Sequence, residues 1–184
     1  MSIENSKLLD AGQGLFSTLG LVSFHLPGPL IWMAEDFNET LYRGTIFRGY
    51  PNLSEPATQD VRDVAYIFIV DVTEDTNEPD VLKIDDSDVP EIDALIHENA
   101  LRETIASGMQ MVQWMATHLN RNSDQTALIT AYSIKDQGLD RQCIAVRINT
   151  KGRKIIAQCT FDIDKRDELA APIFNVIRNM TLNT

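Results

Sequence analysis

At 184 residues the chain is long enough for one well-buried domain and short for two. Its 43% hydrophobic and 23% charged content is ordinary for a globular protein. A formal charge of −11 with a pI near 4.6 argues against a nucleic-acid surface and against docking on an anionic membrane, since both need clustered lysine and arginine. An acidic surface steers a basic protein partner instead.

In chain order, 1–18 is polar and weakly patterned, and predicts a short helix or a loosely held arm. Leu21–Leu26 predicts a strand ended by Pro27-Gly28-Pro29, because proline cannot donate to a ladder. Strands follow over Leu30–Ala34 and Leu41–Tyr50, with Asp36-Phe37-Asn38-Glu39 between them, and then a polar loop over Pro51–Asp63. Val64–Val72 is a continuous apolar run, which predicts a central strand buried on both faces.

The composition then changes. Asp71 to Glu103 holds twelve acidic residues and two basic ones, Lys83 and Arg102. Residues 73–87 read as a solvated acidic loop. Asp88 and Glu91 have capping-box spacing and Pro90 fits a first turn, so a long helix is expected over 88–119. Its apolar stripe would run through Leu101, Ile105, Gly108, Val112, Met115 and Leu119, at spacings of three and four.

Three antiparallel strands are expected over 126–161, where apolar residues alternate. A two-residue turn at Lys151-Gly152 sets Ile148 against Ile155, Val146 against Ala157 and Ile144 against Cys159. A slip of one residue would set Ile148 against Lys154, so burial selects the first register. Cys143 and Cys159 then point to opposite faces, as small buried thiols rather than a disulfide. A C-terminal helix is expected over 171–182, begun so that Pro172 falls in its first turn, with Ile173, Phe174, Ile177 and Met180 buried. The whole, 1–184, reads as a single α+β domain: a curved antiparallel sheet packed with a long central helix and a C-terminal helix.

Candidate chemistry is sparse. Asp71 ends a strand as an aspartyl nucleophile would, but Thr73 stands where such sites place a second acid. Asp85, Asp86, Asp88 and Glu91 lack the glycine and spacing of a calcium loop. His25, His97 and His118 are too dispersed in sequence for a zinc pattern. No cofactor, no metal and no catalytic residue is expected, and the protein is read as a non-enzyme.

Two features suit binding. Met109, Met111, Met115 and Trp114 could form an adaptable apolar surface; the alternative is that Met115 and a neighbour are core while Trp114 covers an edge. Charge is also split: residues 1–134 hold 21 acidic and 7 basic residues, and 135–184 hold 6 and 9. Arg147 and Arg153 would then sit on a basic hairpin away from the acids Asp75, Asp85 and Asp86. The partner-binding candidates are therefore Trp114, Met111, Asp75, Asp85, Asp86, Arg147 and Arg153.

The segment Ala127 to Met180 resembles the C-terminal half of the PsbP/DcrB-like superfamily, which includes the Ran-binding Mog proteins. The resemblance is carried by Ala127-Leu128-Ile129-Thr130-Ala131-Tyr132, Arg141-Gln142-Cys143-Ile144-Ala145-Val146, Gly152-Arg153-Lys154-Ile155-Ile156 and the closing Phe174-xx-Ile177 helix. Val22-Ser23-Phe24-His25-Leu26-Pro27 resembles the opening strand. Within the superfamily the chain is most similar to effector-associated chaperones of bacterial type VI secretion. That resemblance implies a chaperone or adaptor that shields an apolar segment of a secreted effector or toxin. The alternative is an immunity-type inhibitor whose acidic surface caps a basic toxin. The expected partner is a protein, with no nucleic acid and no membrane insertion; a homodimer is an open alternative. Met1–Gly20 carries Glu4 and Asp10 and lacks a signal core, which predicts a cytoplasmic location.

Overall fold

The computed structural model describes residues 7–9, 16–18, 22–26, 30–38, 42–51, 62–72, 78–121, 126–150, 153–178 and 181–182. In chain order these form β1 (Lys7–Leu9), β2 (Phe16–Thr18), β3 (Val22–Phe24), β4 (Ile31–Asn38), β5 (Tyr42–Tyr50), β6 (Ala65–Val72), α1 (Val89–Ala106), β7 (Gln110–Arg121), β8 (Thr126–Asp136), β9 (Leu139–Thr150), β10 (Arg153–Asp162), α2 (Arg166–Arg178) and β11 (Thr181–Leu182). Eight strands make one antiparallel sheet in the order β1-β4-β5-β6-β10-β9-β8-β7. A second sheet has the order β11-β3-β2. The fold is α+β.

Period-two alternation divides the large sheet into two faces. On one, Ile67 and Ile69 of β6, Ile155, Ala157, Cys159 and Phe161 of β10, and Val146 and Ile148 of β9 pack under Leu169, Ile173 and Val176 of α2. Phe24 of β3 joins this core edge-on to Phe47, with ring centroids 5.1 Å apart. On the other face α1 lies over β7 and β8, burying Ile96, Ala100 and Thr104. The β9–β10 register is the expected one, Ile148 opposite Ile155, Val146 opposite Ala157 and Ile144 opposite Cys159. Its Lys151-Gly152 turn lies outside the described residues. Both thiols are free and buried, on opposite faces.

The helix expected over 88–119 is two elements. α1 stops at Ala106, and Gly108, at φ 74°, takes the left-handed conformation that ends helices. The Gly108 amide donates to the Ile105 carbonyl and the Met109 amide to that of Thr104, which completes a Schellman motif. The chain then reverses into β7. The spacing of Val112, Met115 and Leu119 suits a helix by coincidence; as a strand, with two irregularities in its pairing to β8, the same residues fall on different faces. At the start of α1 the Asp85 amide donates to the Asp88 carboxylate at 2.9 Å, one turn before the expected box. Nor are residues 73–87 simply solvated. Val81 and Ile84 are buried against Ile96 and Leu128.

Further expectations are corrected. α2 begins at Arg166 and carries Pro172 inside it, because the burial of Leu169, Ile173 and Val176 outweighs one lost backbone bond. Phe174 is exposed, and Thr181–Leu182 is a strand rather than the helix end. The stretch 1–18 supplies strands, with β1 paired to β4 and β2 to β3. Asp36, Phe37 and Asn38 extend β4 rather than linking two strands.

Candidate functional site

α1 covers only one side of its sheet face. Toward β5 and β6 a groove of about 370 Å³ stays open, lined by Ile46, Arg48, Tyr66, Phe68, Ala100, Glu103, Thr104, Ser107, Met109, Tyr132, Ile134 and Gln158. Tyr66 and Phe68 are half-buried for this reason, although β6 was expected to be covered on both faces; its α2 side is buried throughout. Side-chain size shapes the floor. On β9 the residues facing α1 are Cys143 and Ala145, both small, so Tyr132 of β8 reaches across them to Gln158 of β10 at 3.3 Å. Its ring also stacks on Trp114, with centroids 5.6 Å apart. Phe68 is held by Phe37, 5.0 Å away and parallel. Phe37 can reach it because the residue opposite, Gly44, has no side chain.

The polar rim is set by ion pairs. At one end Arg48 bonds Asp63 at 2.8 Å, Asp63 bonds Arg141 at 3.0 Å, and Arg141 lies 3.2 Å from Asp162, which also takes Arg62 at 2.6 Å. Asp136 stands 3.6 Å from Arg141, so three acids face three arginines. Burial pushes the Asp162 carboxyl up, against the pull of Arg62 and Arg141. Glu103, on the last turn of α1, has no ion-pair or hydrogen-bond partner among the described residues. The residue is exposed in overall area, yet burial raises its carboxyl above the ordinary range, Glu78 adds to this, and Arg147 and Arg102 oppose it. Burial also pushes the Tyr66 hydroxyl up to about 12.

The sequence-predicted partner residues do not converge. Trp114 is packed inside, stacked 4.6 Å from His97 and donating to Asp93 at 3.0 Å; Met111 packs beside it. Met115, expected in the core in the alternative reading, is exposed. Asp86 pairs with Arg121, which also donates to the Ile84 carbonyl at 2.6 Å, and Asp85 caps the turn before α1. Asp75 lies outside the described residues. Arg147 pairs with Glu78 at 2.9 Å, Lys154 donates to the Glu78 carbonyl, and Arg153 and Arg43 share Asp71. The hairpin cations are therefore not apart from the acids. The end of β6 lies beside the start of β10, and residues 78–80 lie against that same end.

The overall fold is similar to that of a solved protein. The solution structure of cyanobacterial PsbP (CyanoP) from Synechocystis sp. aligns with a TM-score of 0.56 at 14% identity, over 95% of this chain and 97% of that one. The fold is PsbP-like. LpqN, involved in cell envelope biogenesis of Mycobacterium tuberculosis, aligns at TM-score 0.43 and 14% identity, over 98% and 91%. A protein of unknown function from Pseudomonas aeruginosa aligns at 0.42 and 12%, over 91% and 90%. No protein-family model matches the sequence, and no curated protein matches it. Among the described residues no helix is long and apolar enough to cross a membrane, and no three His, Cys, Asp or Glu side chains group as metal ligands. On this PsbP-like sheet, sequence reasoning missed Phe68, Tyr132 and Glu103. The one signal for the first two was their place on strands with small or absent neighbours at Gly44, Cys143 and Ala145.

Proposed function

We propose that the protein is a non-catalytic binding module, a secretion-associated chaperone or adaptor that takes an apolar segment of a client protein onto the groove. The observation that carries this reading is the open floor of half-buried Ile46, Tyr66 and Phe68, on a face that α1 leaves uncovered. An extended or helical segment laid there would bury apolar surface that the fold itself does not. The chemistry of the site supports binding over catalysis. No histidine or cysteine lines the groove, Thr104 spends its hydroxyl on the Ala100 carbonyl at 2.6 Å, and burial holds the Cys143 thiol up to about 11. Type VI secretion and an effector client belong to this proposal through the resemblance of the sequence, and a cytoplasmic setting is proposed with them.

The immunity-type reading is favoured by a different observation, the exposed acids Asp85, Asp86, Asp88 and Glu91 leading into α1. The two separate by salt, because charge-driven capping is screened and apolar capture is not. Immobilised protein is incubated with lysate of its native cell and washed at low and then high salt, beside a Phe68→Ala variant shown to fold by its thermal melt. A client kept at high salt by the wild type and lost by the variant supports the chaperone reading. A basic partner released by salt, and indifferent to Phe68, supports the inhibitor. No partner from either protein at low salt overturns both.

A further inference from the structure

The groove has a charge that the fold leaves unanswered. Around it, Arg48, Arg62 and Arg141 are matched by Asp63, Asp136 and Asp162, and Arg147 by Glu78. Arg102, the neighbour of Glu103 in sequence, is turned to Glu98 at 2.9 Å. Among the described residues Glu103 is the charged group of the groove lining with no cation at ion-pair distance, Arg147 and Arg102 acting on it only from further off. The floor of the same groove carries half-buried Tyr66 and Phe68, with the largely buried Tyr132 on the same sheet face. A carboxylate over π-faces attracts a positive group and disfavours an anion.

We propose that the groove receives a lysine or arginine side chain of a partner polypeptide, its cation on the Glu103 carboxylate and its methylene stem along Tyr66 and Phe68. This rests on the binding-module reading and names the chemistry of the client. A long basic side chain suits both parts of the site, since its stem covers apolar surface while its head meets charge. Two observations favour a polypeptide over a free amine. The same face continues past the groove through half-buried Phe37 and Ile156, where the neighbouring apolar side chains of a segment would lie. The net charge of −11 steers basic chains toward the molecule.

The test is calorimetric titration of the full chain at physiological salt with two capped seven-residue peptides of alternating alanine and leucine. One has lysine at its centre and the other norleucine, which keeps the stem and drops the charge. The lysine peptide is expected to bind about tenfold more tightly, as a charge-assisted contact requires. Glu103→Gln should abolish that difference and leave norleucine binding as it was. Glu98→Gln, on the same helix and tied to Arg102, should leave the difference intact and so exclude a general charge effect. Equal binding of the two peptides to wild type overturns the cation site while the apolar groove stands. A lysine preference that survives Glu103→Gln overturns the assignment to Glu103. Binding of n-pentylamine as tightly as the lysine peptide overturns the polypeptide occupant. Binding of neither peptide at millimolar concentration overturns this proposal and the client-binding groove together.

Discussion

Gly44 and Gly108 are required for different reasons, and substitution separates them. A Cβ at Gly44 would sit 2.1 Å from the Ile69 carbonyl oxygen and 2.8 Å from the Phe37 ring, so strand pairing and the Phe37–Phe68 stack would both be pushed apart. Gly44→Ala should destabilise by about 1–3 kcal/mol or more in urea unfolding, through overpacking. At Gly108 nothing stands within 4 Å, and only the left-handed φ opposes a side chain. Gly108→Ala should cost about 1–2 kcal/mol, and Gly108→Asn less, because asparagine tolerates that conformation. The thiols give a second residue-scale expectation. Burial raises both, Cys143 to about 11, so a disulfide reagent at pH 8 should label neither in the native protein and both after unfolding. Glu103 gives a third. Its raised folded value means the native state holds that proton more tightly than the unfolded chain does. This term therefore weakens stability as pH rises from the ordinary carboxylate value through the raised one. Glu103→Gln should stabilise the protein at pH 7, with the advantage vanishing near pH 4, as read from melts across that range.

At the scale of elements, β3 to β6 and β8 to β10 were legible, while β1, β2, β7, β11 and the helix ends were not. In α2 the sequence pattern favoured Ile173, Phe174, Ile177 and Met180, because Pro172 argued for a late start; of these Ile173 is buried and Phe174 is exposed. The helix instead begins at Arg166 and buries Leu169, Ile173 and Val176, a spacing of four and three. Ile173→Ala should therefore cost about 2–5 kcal/mol in chemical denaturation, while Phe174→Ala should stay within about 0.5 kcal/mol of wild type. In α1 and β7 the error had one source. A run such as Met111-Val112-Gln113-Trp114-Met115 places apolar residues at offsets that satisfy a helix as well as an irregular strand. Gly108 was read as a tolerated position within a helix, whereas its hydrogen bonds make it the terminus.

Across the whole molecule, the ends of β6, β9 and β10 are joined by the Arg141 network rather than by apolar packing. Arg141 and Asp162 are both buried, at 4% and 2% exposure, so neither has water to fall back on. Arg141→Met should destabilise by about 3–5 kcal/mol in denaturant unfolding, since it leaves Asp63 and Asp162 without their shared cation. Other ion pairs join the two oppositely charged regions of the sequence. Acids of the first two-thirds and arginines of the last third meet across strand neighbours, Asp71 with Arg153 and Glu78 with Arg147. Part of the split between the two regions is thus paired off inside the fold, while the net charge of −11 remains.

The sequence by itself determined what depends on near neighbours and on burial: the alternation of β8 to β10, the hairpin register that keeps Lys154 from Ile148, and the central place of β6. It also carried the α+β class and the resemblance to PsbP-like proteins. Only the tertiary structure decided where α1 turns back, which face of β7 holds Trp114, and which carboxylate lines the groove without an ion pair among the described residues. The physical reason is the range of the interactions concerned. Pleat and register follow from contacts between adjacent strands, whose partners the turn length already sets. Whether Glu103 faces a groove without a cation depends on strands far apart in sequence, β5, β6, β8 and β10, and on side chains missing at Gly44 and small at Cys143 and Ala145.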